Sequence, residues 1–127
     1  MFEDPIISML EKAVYGSSIR HTAIVNNISN VNTPGYKRVD VDFKTSLKAA
    51  VKNLQDGKKG EAMQAIENST PEILNDTGSS VRLDGNGVDI DSEMTSLAEN
   101  TLEYSMYIKL LTKKFDGLRT VISEGKK

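Results

Sequence analysis

The sequence of 127 residues contains no cysteine and no tryptophan, only one histidine, and just 6% aromatic residues. The absence of cysteine excludes disulfide frameworks, zinc–thiolate sites and cysteine nucleophiles. The single histidine, His21, leaves little room for a histidine metal cluster or an acid–base pair. We therefore expect a protein that needs no metal and no cofactor.

Long apolar runs are also missing. No stretch approaches the roughly 18 consecutive apolar residues that a membrane-spanning helix needs. The first five residues have neither a basic n-region nor a continuous apolar core, so we expect no cleaved secretory signal peptide. A net charge of −2 disfavours a nucleic-acid-binding protein that is held by phosphate contacts.

The charge is unevenly distributed along the chain. Residues 37–60 carry a net charge of +4 and residues 101–127 carry +3, whereas residues 61–100 carry −8. Such blocks fit subunits that meet through opposite charges, and they also fit a solvated surface on which charges cluster by chance. The sequence leaves both interpretations open.

The last third of the chain carries the strongest pattern. Apolar residues recur there at alternating spacings of three and four, which is typical of the a and d positions of a heptad helix. Asp91 is the predicted N-cap and Gly125 the predicted stop of a helix over residues 92–123. The row, which we name the C-terminal seam, consists of Met94, Leu97, Thr101, Tyr104, Ile108, Leu111, Phe115, Leu118 and Ile122.

A weaker version of the same pattern covers residues 10–31, with polar residues in its middle. Pro5 suits the first turn of this helix, because its missing N–H group is not needed there. Pro34 and Gly35 predict a type II turn, since proline presets φ and glycine supplies the positive φ that follows. The helix is therefore expected to end near Asn30.

Asparagines crowd the end of this N-terminal helix, although asparagine is a poor helix former. In one interpretation they cap the helix and face water. In the other they form an amide network across a subunit interface and fix its register, as buried polar residues do in coiled coils. From the residues alone both interpretations remain open for Asn26, Asn27, Asn30 and Asn32.

The middle of the chain has weaker signals. Residues 43–54 present one apolar face of a short helix, and residues 55–60 form a loop after it. Residues 61–91 are predicted to be a loop with two short strands, one near Ile73 and one near residues 81–83.

The predicted fold class is mainly α. Long N- and C-terminal heptad helices pack as an antiparallel coiled-coil-like pair, with a small irregular middle segment that contains a short helix and has room for short strands. One structural unit is expected. Its parts are the N-terminal helix and turn (1–36), a variable middle segment (37–80), and a turn with the C-terminal helix (81–127). Burial of the seams within one chain would scarcely offset the cost of ordering the backbone, so neighbouring subunits are expected to complete them.

No catalytic or ligand-binding constellation is evident. Residues 84–93 look like a calcium loop, but the EF-hand register would place Arg82 at position 1 and Asp89 at position 8, which are both wrong. No glycine-rich phosphate loop and no paired carboxylates in a pocket can be assigned. We expect a protein that is not an enzyme and that binds no small-molecule substrate and no nucleic acid.

Two segments resemble a known family. Residues 23–37 resemble the N-terminal signature of the bacterial flagellar axial proteins, which include the rod, hook and hook-associated proteins. Residues 83–94, 97–100 and 114–118, together with the short length, resemble the proximal-rod members of that family. Residues 46–79 match nothing specific. Within the signature, the residues that we name the N-terminal motif are Asn26, Asn27, Ile28, Asn30, Val31, Asn32, Pro34, Gly35 and Tyr36.

The resemblance implies a structural subunit of the proximal rod of the flagellar basal body, the hollow shaft that transmits torque and carries export. The implied partners are copies of itself, other rod proteins, the adaptor between rod and membrane ring, and the flagellar export apparatus. The implied location is outside the cytoplasmic membrane, reached without a cleaved signal peptide. The N-terminal motif and the C-terminal seam would then be assembly interfaces.

Two alternatives belong to other classes. A small coiled-coil adaptor or chaperone of the flagellar secretion system would share the helical pattern. A wall hydrolase would need a pocket with paired carboxylates, which the sequence does not offer.

Overall fold

The computed structural model describes residues 4–75 and 88–125. These residues form four helices and a two-stranded sheet, so the mainly α prediction is confirmed. None of the described helices is long and apolar enough to cross a membrane. In chain order the elements are α1 (Pro5–Ser29), β1 (Val39–Asp42), α2 (Lys44–Gln55), α3 (Lys59–Glu67), β2 (Glu72–Asn75) and α4 (Ile90–Gly125).

Helix α1 begins and ends where the sequence predicts. Asp4 is the N-cap, and its Oδ1 accepts a hydrogen bond from the N–H of Ile6 at 2.9 Å. Pro5 follows in the first turn, as expected. At the other end, Asn30 is the C-cap, and its N–H donates to the carbonyl oxygen of Asn26 at 3.1 Å. Local cap chemistry therefore sets both ends of this helix.

The chain then reverses through the predicted type II turn. Gly35 has a φ of 75°, which is the left-handed conformation that this turn requires at its third position. The N–H of Tyr36 donates to the carbonyl oxygen of Thr33 at 3.2 Å and closes the turn. The turn directs the chain back along α1 and into β1.

Helix α4 begins two residues earlier than predicted. Asp89, not Asp91, is the side chain that caps it, because Oδ1 of Asp89 accepts hydrogen bonds from the N–H groups of Asp91 and Ser92 at 3.0 and 3.4 Å. Asp91 lies in the first turn, where its charge complements the helix dipole. The helix has 36 residues and is therefore about 54 Å long at 1.5 Å per residue.

Helices α1 and α4 pack antiparallel along most of α1. Polar contacts connect them at three levels, and positions later in α1 pair with positions earlier in α4. From one end to the other, these contacts join Asp4 to Lys114, Ser17 to Asn100, and Asn27 to Glu93.

The middle segment is more regular than predicted. Helix α3 occupies residues for which a loop was expected, so that part of the prediction was wrong. Only Ala62 and Ile66 are buried in its nine residues, which is too few to reveal a helical period in the sequence. Strand β2 pairs antiparallel with β1, with Val41 opposite Ile73. The strand predicted near residues 81–83 lies outside the described residues.

A small apolar core joins α1 to the middle segment. Phe43, at the junction of β1 and α2, clusters with Ala13 and Leu47, and its ring meets Tyr107 of α4 edge-on with centroids 6.3 Å apart. Gly16 makes room for this ring, since a Cβ added there would overlap Cγ of Phe43. The absence of a side chain at Gly16 therefore lets β1 and α2 approach α1 closely.

Candidate assembly interfaces

Asn27 is the centre of a buried polar cluster at the end of α1. Its side chain is fully buried. Its Oδ1 accepts hydrogen bonds from the N–H of Val39 at 3.0 Å and the hydroxyl of Tyr36 at 3.1 Å. Its Nδ2 donates to the carbonyl oxygen of Val39 at 2.7 Å and to Oε2 of Glu93 at 3.3 Å. All four hydrogen-bonding positions of the amide are used, so one side chain ties α1, the turn, β1 and α4 together.

Glu93 completes this cluster from the first turns of α4. It is 1% exposed, and its Oε1 accepts a hydrogen bond from Nε of Arg38 at 2.7 Å. Arg38 also approaches Asp40 at 3.9 Å, and Asp40 pairs with Arg20 of α1 at 3.1 Å. The buried carboxylate therefore has a cationic partner, which a buried charge requires.

The other members of the N-terminal motif lie nearer the surface. Asn30 makes local bonds, since its Nδ2 donates to the carbonyl oxygen of Asn26 at 2.8 Å and its Oδ1 accepts from the hydroxyl of Thr33 at 3.1 Å. The two interpretations of the asparagines thus separate by residue. Asn30 caps the helix, whereas Asn27 forms an amide network that runs within one chain. Asn26, Asn32, Pro34 and Gly35 are exposed, and Ile28, Val31 and Tyr36 are half-buried.

Asn100 forms a second polar contact between the long helices. It is 1% exposed, and its Nδ2 donates to the backbone carbonyl oxygen of the fully buried Ser17 at 2.8 Å. Its Oδ1 is also buried and accepts no hydrogen bond from the described residues.

A groove of about 310 Å³ opens between α1 and α4 beside Asn100. None of the described residues that line it carries a carboxylate, and Oγ of Ser17 donates to the carbonyl oxygen of Val14 at 3.0 Å rather than to His21. The groove therefore does not provide a nucleophile with its base. Residues 4–75 and 88–125 also contain no group of three or more His, Asp or Glu side chains that could hold a metal ion. The lining residues are Ser17, Ser18, His21, Thr22, Asn100, Thr101 and Tyr104.

The C-terminal seam is largely exposed. Helix α1 covers a different stripe of α4, which contains Glu93, Asn100 and Tyr107 and is rotated from the seam by roughly 70° at 3.6 residues per turn. Within the seam Leu97, Leu111 and Leu118 are half-buried, and Met94, Thr101, Tyr104, Ile108, Phe115 and Ile122 are exposed.

The burial of two polar residues of α4, Glu93 and Asn100, was not predicted from the sequence. In the sequence, Glu93 looks like an acidic residue that complements the helix dipole in the first turn. Asn100 looks like a solvent-exposed residue between positions of the seam. One signal was available, because the two residues are a heptad apart and must share a face. Their partners, however, lie 66 and 83 residues away in the chain, so local spacing alone does not identify the contacts.

The pKa values of Asp42 and Tyr107 are shifted, and both residues support the fold. Hydrogen bonds from the Thr45 hydroxyl, at 2.6 Å, and from the Thr45 N–H hold the pKa of Asp42 below its usual value. These bonds fix the start of α2. Burial raises the pKa of Tyr107, whose ring packs against Phe43.

Comparison with known proteins shows similarity over nearly the whole chain. The chain is 34% identical over 128 residues to the flagellar basal body rod protein FlgB of Bacillus subtilis, which covers 94% of this chain and 95% of the relative. It is 30% identical to the protein of that name from Escherichia coli, with 96% of each chain covered. Identity to FlgB of Borrelia hermsii is 32% over 120 residues, or 83% of this chain and 86% of the relative. No family model matches the chain.

Proposed function

Because this chain belongs to the FlgB family of flagellar basal body rod proteins, we propose that it is a structural subunit of the proximal rod. In this role it assembles with copies of itself and with other rod proteins into the hollow shaft that transmits torque and carries export. It is a structural protein and not an enzyme. The observation that carries the proposal is the exposed C-terminal seam.

The seam supports assembly because an exposed apolar row of this length is typical of an interaction surface. Tyr104, Ile108 and Phe115 are 40%, 37% and 48% exposed, and they lie on one face of α4. Contact between this face and a different surface of the next subunit would be heterologous. Heterologous contacts that do not close produce helical tubes rather than rings.

The groove beside the seam offers a polar complement to this apolar row. His21 and Tyr104 both line this groove, and we infer that polar groups of a neighbouring subunit contact them there. The exposed Asn26 and Asn32 of the N-terminal motif supply a second polar contact surface.

We propose further that the chain reaches its place through the flagellar export apparatus, outside the cytoplasmic membrane and without a cleaved signal peptide. The adaptor between the rod and the membrane ring is then a further partner. Family membership and the resemblance of the N-terminal motif to the axial signature support this part of the proposal.

Electron cryotomography of cells with an in-frame deletion of this chain tests the function. The expected result is a membrane ring with its export gate but without rod, hook and filament. An intact rod in such cells would contradict the proposal and would favour a coiled-coil adaptor or chaperone of the secretion system.

A matched pair of variants tests the seam itself. Phe115→Asp places a charge in the middle of the proposed contact and is expected to abolish rod assembly and motility. Thr120→Asp introduces the same charge at an exposed position roughly 140° around α4 at 3.6 residues per turn, and we expect it to leave motility intact. Because both positions are exposed, both purified variants should keep the helix content of the parent chain. Motile Phe115→Asp cells would show that this face is not an interface.

A further inference from the structure

A second exposed apolar row lies on the side of α4 that points away from α1 and from the C-terminal seam. Leu102, Met106 and Leu110 follow one another at intervals of four residues, and residues at this interval share a helix face. They are 73%, 49% and 44% exposed. At 3.6 residues per turn, this row lies roughly 110° from the stripe that α1 covers.

The row is symmetric about Met106. A leucine stands four residues before it and another four residues after it. Glu99 stands seven residues before Met106 and Lys113 seven residues after it, and both are exposed. Together these five residues have spacings of 3-4-4-3, and we name them the outer face.

This symmetry suits an antiparallel copy of the same helix. When two identical helices pair antiparallel about a shared centre, positions at equal distances on either side of the centre lie opposite each other. Leu102 then meets the partner's Leu110, and Glu99 meets the partner's Lys113. In a parallel, in-register pair each residue would meet its own copy, so two Glu99 side chains and two Lys113 side chains would repel each other.

The charges along the whole of α4 are distributed in the same way as those of Glu99 and Lys113, with acidic residues in the first half and mainly basic residues in the second. Residues 90–107 contain four acidic residues and no basic residue, whereas residues 108–125 contain four basic and two acidic residues. Glu93 is buried against α1, but the exposed Asp91 and Glu99 of the first half and the exposed Lys109 and Lys113 of the second half keep this distribution. An antiparallel partner therefore places the exposed acidic residues of one helix beside the exposed basic residues of the other. A parallel partner would place like charges together along the full length.

We propose that the outer face binds the outer face of a second copy of this chain, in a two-fold antiparallel contact centred on Met106. Such an isologous contact closes on itself, so it differs from the open-ended contacts proposed for the C-terminal seam and does not depend on them. Three apolar side chains from each copy bury much less area than a standard interface of about 1,600 Å². The pair therefore forms only at high protein concentration.

Cysteine cross-linking tests this contact directly, because the chain has no cysteine of its own. Met106 lies on the two-fold axis, and helices that pack at about 8–10 Å bring such positions within the Cα separation of a disulfide, under about 7 Å. Met106→Cys should form a disulfide-linked dimer under mild oxidation at least about tenfold faster than Ser105→Cys, because the contact raises the effective concentration of its thiols. Ser105 is exposed and adjacent but faces another direction. Equal rates for the two variants would overturn the proposal.

Charge reversal provides a second test, with sedimentation equilibrium as the readout. Glu99→Lys and Lys113→Glu, each alone, should weaken dimerisation several-fold by setting like charges opposite each other. The double variant should restore the dimer, since it exchanges the charges and keeps the pairing. A double variant that dimerises no better than the single variants would contradict the two-fold arrangement. The measurement uses the purified chain, so its result is separate from that of the rod assembly tests.

Discussion

The side-chain amide of Asn27 and the carboxylate of Glu93 lie 3.3 Å apart, although 66 residues separate them in the chain. The contact joins the last turn of α1 to the first turn of α4. Apolar rows on two helices tolerate a slip along the axis, whereas a buried hydrogen bond between one amide and one carboxylate does not. We infer that this pair sets the register of the two long helices.

Asn27→Ala should lower the free energy of unfolding by about 2–4 kcal/mol, because the backbone groups of Val39 and the carboxylate of Glu93 lose a buried partner. Asn26→Ala is the matched control one position earlier. Its side chain is exposed, so we expect a change within about 0.5 kcal/mol. Urea unfolding followed by circular dichroism measures both, and equal effects would show that the Asn27 cluster does not stabilise the fold.

Two glycines of the long helices should respond in opposite ways to alanine. Gly16→Ala is expected to cost about 1–3 kcal/mol, since the new methyl group overlaps the ring of Phe43. Gly117→Ala meets no atom within 4 Å and should gain about 0.5–1 kcal/mol through helix propensity. Thermal unfolding of the two variants shows whether each substitution lowers or raises the stability of the chain. A stabilising Gly16→Ala would mean that Phe43 does not sit against α1.

The contribution of Asp42 to stability should depend on pH. Its pKa is lower in the folded chain because Thr45 donates hydrogen bonds to it. The stabilisation is therefore present above the unfolded-state pKa and is lost as the pH falls through the folded-state pKa. Thr45→Val removes the hydroxyl donor, so the stability difference from the parent chain should be largest near neutral pH and shrink in acid. Denaturant unfolding across this pH range checks the trend, and a difference that does not change with pH would contradict it.

Two substitutions at Asp4 separate its cap from its ion pair. Asp4→Asn keeps a good N-cap and removes the pair with Lys114, whose atoms are 3.6 Å apart at a partly exposed site. It should cost less than about 1 kcal/mol. Asp4→Ala removes the cap as well and should cost about 1 kcal/mol more. Equal losses for the two variants, measured in urea, would indicate that the cap contributes nothing.

The sequence was sufficient to predict the elements whose signals are local. Pro5, Asn30 and the Pro34–Gly35 turn define α1 through cap and turn chemistry, and the heptad spacing defines α4. The sequence did not predict which face of α4 meets α1, because apolar residues occur on several sides of that helix. The stripe that α1 covers contains the polar Glu93 and Asn100, whose burial depends on partners that only the tertiary fold supplies.

The hydrogen bonds of Asn27 also affect the edge of the small sheet. The N–H and the carbonyl oxygen of Val39 both bind that one side chain, and the N–H of Val41 donates to the carboxylate of Asp40 at 2.7 Å. An unpaired strand edge is a template on which another chain can add a strand and start aggregation. Side chains thus occupy these positions of β1, so a neighbouring copy cannot extend the sheet there even where many copies are crowded together.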